Sequence, residues 1–458
     1  MIEDIYLSGP YAPIDKEIDA TLEVVRGEVP RDLFGTYVRN GPNRRRAAEG
    51  RHHWFDGDGM LHAVRVEDGA LRYRNRWIRT PAMAAEDDAD RALWRGLLEP
   101  FSHNPEGQPY KDTANTDVLC HGGELLTLHY IGGAPHRVDV DTLETLGSRA
   151  QPKRLSAHAK VDPETGELLW FDYGPRPHLT YGVLDADGEL VHRTKVDLPG
   201  PRLPHDMAFT ERYAVLMDLP VWPRADAAKK QKWQVGFHRD TPARFGVLPR
   251  RGDGGEVRWF EAEPCYVYHA VNAWEDGDAI VMVGCRCDDP TPAPDPADGP
   301  MATAWANLRL RAHLHRWRFD LTTGECTEEA LDDRNAEFPT MDARRGGRAS
   351  LFSYHVTIPD ARALVFDGIT KYGPTGPIAH ASFGEGVQGA EAPFAPREGS
   401  TAEDDGYLLT FVHDRREDAS QLWIYDAREL ARGPVCVAAI PQRVPIGFHA
   451  TWVPGGAS

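Results

Sequence analysis

The chain has 458 residues, of which 41% are hydrophobic and 27% charged, enough to bury a large core in one to three domains. A formal charge of −18 argues against nonspecific binding to nucleic acid or to anionic lipid. No apolar run approaches the ~18 residues of a membrane-spanning helix, and six scattered cysteines give neither a disulfide scaffold nor a zinc-knuckle spacing.

The N-terminus, MIEDIYLSGPYAP, has acids where a secretory signal would be basic and then apolar, so the protein is read as cytosolic. FDGDG, Phe55 to Gly59, sets Asp56 and Asp58 two apart, but the later ligands of a calcium loop are missing and it reads as a turn. LHAVRVEDGALRYRNRW reads as strand, turn at Glu67-Asp68-Gly69, strand. Met83 to Leu98 is the best helical pattern, and Ala225 to Lys232 a weaker one. KVDPETGELLWFDYG, YGVLDADGELVHRT, NAWEDGDAIVMVGC, HRWRFDLTTGECTEEAL and EDDGYLLTFVHD repeat the strand–turn–strand theme. In each, Asp, Gly or Thr-Gly supplies a residue that tolerates positive φ or bonds its own backbone. Asp288 to Pro300, DDPTPAPDPADGP, reads as a surface loop because strand pattern resumes on both sides.

Many short hairpins along the whole length predict an all-β fold. A single all-β domain spanning 1–458 must dispose of its sheet edges, and closing four-stranded sheets into a β-propeller does so. The hairpins keep no strict period, which argues against WD40 or kelch repeats and for irregular blades with long loops.

Four of the 19 histidines interrupt strand-like apolar runs: His158 in LSAHAKVDP, His205 in RLPHDMAFT, His269 in CYVYHAVNAWE and His449 in PIGFHATWV. They lie on different hairpins, so local spacing cannot unite them. A closed propeller can, because the innermost strand of each blade meets the axis. Four imidazoles there would suit Fe(II), Cu or Zn. On distribution alone, core histidines bonded to carbonyls remain the alternative.

The same segments resemble the carotenoid cleavage oxygenase family. The match runs from VRNGPN (Val38 to Asn43) and HWFDGDGMLHAVR through TANTDVL, DTLETLG, AHAKVDPETGEL and PHDMAFT to YHAVNAWEDGD, AEFPTMDAR, AEDDGYLL and VPIGFHATW. The resemblance implies a seven-bladed β-propeller with long loops and a few short helices capping its top face. It also implies an axial Fe(II) held by His158, His205, His269 and His449, and O2-dependent cleavage of one C=C bond of an apocarotenoid-like polyene to carbonyl products. The partners implied are a lipophilic alkene and O2, with a monomer as the default.

Behind the histidines the family places glutamates. By motif, Glu337 in AEFPTMD would back His269, and Glu403 in AEDDGY would back His449. The third position is Ile131, which accepts no hydrogen bond and leaves His205 without its carboxylate. Tyr130 stands where stilbene-cleaving members carry a lysine. Phe101 would border the substrate tunnel, and Thr116 would approach an open metal position. Trp222 to Phe237 would border the tunnel mouth, where family members can touch membrane; an amphipathic surface segment is the alternative. Two other readings stay open: cleavage of a stilbene or phenylpropenoid, and a non-catalytic polyene-binding member, which Ile131 motivates.

Overall fold

The computed structural model describes residues 4–455 apart from Trp233. Seven antiparallel sheets of four or more strands follow one another along the chain and close into a propeller; an eighth, two-stranded sheet joins Val221–Pro223 to Val235–Phe237. The first blade holds Gly35–Asn43, Asp58–Glu67 and Ala70–Trp77, and the second runs from Asp117–His121 to Thr145–Ser148. The third runs from Lys160–Val161 to Leu190–Val196, and the fourth from Ala208–Phe209 to Arg258–Ala262. The fifth runs from Tyr266–Asp276 to Cys326–Ala330, and the sixth from Ala336–Thr340 to Gly376–Ser382. The seventh is built on Gly406–Asp414, Ala419–Asp426 and Cys436–Ile440.

The two ends of the chain lock this ring. Ala450–Pro454 pairs with Gly35–Asn43 as the inner strand of the first blade, and Asp19–Thr21 forms that blade's outer edge. Glu23–Gly27 crosses to the seventh blade and pairs with Cys436–Ile440. Closure leaves no long unpaired edge around the axis.

The turns follow the expected chemistry. Asp68 and Gly69 both take positive φ (50° and 74°), the geometry of a two-residue hairpin turn that matches the strand twist. In DLTTG, Asp320 Oδ1 accepts the N–H groups of Thr322 and Thr323, and Gly324 turns back at φ 81°. Aromatic and β-branched side chains such as Phe245, Trp317, Val247 and Ile280 fill the contacts between blade faces.

The helices are shorter than their patterns predict. The first spans Pro81–Ala89, capped by Thr80 Oγ1 on the Met83 N–H. It stops because Glu86 turns inward: one carboxylate oxygen accepts Leu93 N–H and the other meets Lys111 Nζ at 2.7 Å, while Asp90 turns left-handed. The second covers only Ala225–Ala228; Gln231 takes φ 54° and its carbonyl accepts the Phe101 N–H. Among the described residues no helix is long and apolar enough to cross a membrane.

Candidate metal centre

Each inner strand begins near the axis, and that is where the four histidines sit. His158 precedes Lys160–Val161, His205 precedes Ala208–Phe209, and His449 immediately precedes Ala450–Pro454. His269 lies inside Tyr266–Asp276, where the register slips between Val267 and Ala270. A slip of this kind re-aims a side chain out of the regular alternation. His158 itself is left-handed at φ 66°, a conformation an L-residue holds only when its surroundings enforce it.

The rings converge. The His158 ring centroid is 4.9 Å from those of His205 and His269 and 4.5 Å from that of His449. His269 lies 5.2 Å from His205 and 4.6 Å from His449. One nitrogen each of His158, His205 and His269 falls within 4.8 Å of the others. Burial, then the proximity of the other histidines, pushes the pKa of all three well below the usual imidazole range. They are therefore neutral, with lone pairs available. At His449 burial also lowers the pKa, but the Glu391 carboxylate and the acids beyond it outweigh it, and the net shift is upward.

Two carboxylates orient the rings. Glu337 faces Nδ1 of His269, and Glu391 lies 3.1 Å from Nδ1 of His449. Both glutamates also accept backbone N–H groups, from Phe338 and Ala450 respectively. With Nδ1–H donated outward, the tautomer is fixed and Nε2 faces the axis. Nε2 of His269, like that of His158, is buried and has no hydrogen-bond partner. Glu337 is fully buried, and that burial pushes its pKa up to about 8 against the pull of the Phe338 N–H, His449 and His269. Three neutral imidazoles converge, two of them with a buried Nε2 that has no partner, and form a site suited to a cation other than H⁺. The residues present therefore fit a borderline divalent metal.

The structure corrects the assignment of Glu403. Its Oε1 accepts the N–H groups of Leu351 and Phe352, and the side chain lies 3.8 Å from Arg345, so it ties down a loop instead of backing His449. Glu391 takes that place. The sequence signal for Glu391 was the one that singled out the histidines, an ionisable residue inside an apolar run, GAEAPF.

Two aspartates were also missed. Asp117 Oδ1 accepts Val118 N–H, and Oδ2 accepts the His158 N–H at 3.0 Å and lies 3.7 Å from its Nδ1. Asp206 repeats the arrangement one blade pair onward: Oδ1 accepts Met207 N–H and meets Lys160 Nζ at 2.7 Å, while Oδ2 accepts Ala270 N–H. Each aspartate thus staples the start of one inner strand to the residue at or beside a histidine in the next blade.

His205 has no hydrogen-bond partner for its ring among the described residues. The rings nearest it, beyond the other histidines, are Tyr268 at 5.3 Å and Tyr130 at 6.1 Å. Ile131 is buried and faces a small cavity that Asp56, Lys111 and His129 also line.

His205, His269 and His449 open on a cavity of about 680 Å³. Its walls include Trp54, Phe55, Phe338 and Phe448, with Thr116 and Tyr130 also lining it. Phe101 does not line it; its ring meets that of Tyr110 edge-to-face at 4.8 Å. The Pro-rich loop, expected on the surface, contributes Pro290, Pro292 and Pro294 to the rim, and the segment around Ala225–Ala228 forms the facing side.

A family model described as the retinal pigment epithelial membrane protein matches residues 11–454. The carotenoid 9,10(9′,10′)-cleavage dioxygenase 1 of Pisum sativum is 34% identical across 98% of this chain and 90% of its own. The chain belongs to the carotenoid cleavage oxygenase family. Other members extend its range: isoeugenol monooxygenase of Pseudomonas nitroreducens is 31% identical over 98% of both chains. The solved Pseudomonas brassicacearum lignostilbene dioxygenase superposes with a TM-score of 0.88 at 28% identity, covering 99% of each chain. The chain is thus an oxygenase of the carotenoid-cleavage type, built on a seven-bladed propeller.

Proposed function

We propose that this oxygenase holds Fe(II) on His158, His205, His269 and His449 and oxidatively cleaves one C=C bond of an apocarotenoid-like polyene. The observation that carries this reading is the set of converging neutral imidazoles beneath an aromatic cavity of about 680 Å³. Bound Fe(II) would supply O2 activation next to the alkene, giving two carbonyl products.

The chain's own residues have separate tasks. Glu337 and Glu391 hold the Nδ1 protons of His269 and His449, which keeps Nε2 of each aimed at the axis. Asp117 and Asp206 fix the backbone of His158 and Ala270, so the ligand set is rigid before any ion arrives. Phe338, stacked on His449 at 4.9 Å, and Phe448, 4.4 Å from Trp54, form a dry wall that excludes water and lies flat against a conjugated chain.

The relatives named for isoeugenol and lignostilbene keep a phenylpropenoid substrate open, and His205 without a carboxylate favours a member that binds polyenes without turnover. One experiment separates the three. The chain is loaded anaerobically with Fe(II), its metal content measured, and an apocarotenal and resveratrol are offered under O2. Near-stoichiometric iron and cleavage of the apocarotenal are expected. Cleavage of resveratrol alone moves the substrate to the stilbenes. Little iron and no cleavage of either assigns the chain to the non-catalytic reading.

A further inference from the structure

The cavity above the histidines differs in charge from the rest of the molecule. The chain carries 70 acidic and 52 basic residues, yet among the described residues no aspartate or glutamate lines this cavity, while Arg51, Arg224 and Lys232 do. Two of these cations are already matched. Arg51 Nε donates to Glu99 at 3.0 Å, and Arg224 pairs with Asp226 at 3.2 Å. Lys232 is half-buried and makes no close side-chain ion pair among the described residues; the acid within its electrostatic reach is Glu99, already bonded to Arg51, so one carboxylate serves two cations of the wall.

Its place is structural. The chain leaves Ala225–Ala228 through Gln231 at φ 54°, and the Lys232 N–H bonds the Ala227 carbonyl. This turn delivers the lysine to the cavity wall beside Gln234 and Val235. The Gln231 carbonyl, held by Phe101 N–H, anchors the turn to the facing loop. With Glu99 shared between Arg51 and Lys232 and no acid lining the cavity itself, the wall keeps an excess of positive charge that an anionic ligand group matches. The aromatic depth of the same cavity, walled by Trp54, Phe338 and Phe448, suits an apolar body.

We propose that the substrate is an amphiphile with a terminal carboxylate, an apocarotenoic acid rather than an apocarotenal, and that Lys232 is the residue that selects it. This rests on the polyene reading above. The conjugated chain lies against Phe338 and Phe448, and the carboxylate stays at Lys232 with Arg224 and Arg51 nearby. A charge–charge contact at this half-exposed position would fade with salt.

The test uses an apocarotenoic acid and the apocarotenal of the same chain length. Binding to the full-length, metal-free chain is read from quenching of tryptophan fluorescence, and KM from the iron-loaded chain. The acid is expected to bind about tenfold tighter than the aldehyde at low salt, with the gap narrowing as salt rises. Lys232→Gln should weaken acid binding about tenfold and aldehyde binding less than twofold, and Lys232→Arg should restore the preference. Equal affinity for acid and aldehyde, or a preference that Lys232→Gln leaves intact, overturns the proposal. Loss of binding to phosphatidylserine vesicles in Lys232→Gln, with no acid preference in wild type, also overturns it and assigns the cation to a membrane surface. Tight acid binding without cleavage of either polyene by the iron-loaded chain supports the selectivity and rejects the cleavage reading.

Discussion

Glu391 and Glu403 stand in one short stretch before the last full blade, and their surroundings set different tasks. Glu391 is buried with one oxygen on His449 and the other on the Ala450 N–H. Glu403 holds the Leu351 and Phe352 N–H groups. Glu391→Gln should therefore lower Fe(II) affinity by about 10- to 100-fold, measured by competition with a chelator, while Glu403→Gln should leave it within about twofold. Glu403→Ala should instead cost ~1–3 kcal/mol of unfolding free energy, since two N–H groups lose their acceptor. An equal loss of metal affinity in both Gln variants would refute this division. The four histidines were legible because a polar ring inside an apolar run is conspicuous. Asp117 and Asp206 were not, because each acts on a backbone N–H in the next blade, and no local pattern encodes which blade is next.

At the scale of elements, the site depends on how closely two backbones pass. Asn40 N–H donates to the His449 carbonyl, and Phe448 N–H donates back to the Asn40 carbonyl, both at 2.9 Å. Between them Gly41 and Gly447 touch: a Cβ on Gly41 would come within 2.7 Å of Gly447 Cα, and one on Gly447 within 2.8 Å of the Asn40 oxygen. Neither backbone can yield without moving His449. Gly41→Ala should therefore cost roughly 1–3 kcal/mol of stability and weaken metal binding as well. Gly69→Ala, at a turn where a Cβ meets open space but φ is 74°, should cost only stability, about 1 kcal/mol. Thermal unfolding and metal titration of the two variants check this, and normal metal affinity in Gly41→Ala would refute it. The hairpins were readable because Asp-Gly and Thr-Gly turns act locally. The helix predicted to reach Leu98 was not, because its end is set by Glu86, which pairs with Lys111 across the fold.

For the molecule as a whole, the ring closes on residues from opposite ends of the chain, and one of the proposed ligands sits at the closure. Hairpins in sequence announce an all-β fold, but which blade receives Ala450–Pro454 and which receives Glu23–Gly27 depends on long-range pairing that turn chemistry does not specify. The four histidines come from the third, fourth and fifth blades and from the strand that completes the first. A bound ion therefore pins the last-closed strand to the opposite side of the axis. Ligand held at 100 times its Kd adds ~2.7 kcal/mol to stability, so anaerobic removal of iron by a chelator should lower Tm. Hydrogen exchange should rise first in Ala450–Pro454 and its partner Gly35–Asn43. The effect should depend on pH with a definite sign. Without the ion, burial holds Glu337 protonated up to about pH 8; with it, the nearby positive charge favours the carboxylate, so binding releases a proton. Metal affinity should then rise by up to about tenfold per pH unit as pH approaches 8 from below, and level off above it. The stabilisation lost on chelation should accordingly be larger at pH 8 than at pH 6.5, and Glu337→Gln should reduce that difference, the remainder belonging to His449, whose raised pKa means that it too loses a proton on binding the ion. A chelation effect independent of pH in wild type, or exchange that rises evenly over all seven blades, would show that the ion does not act as this pin.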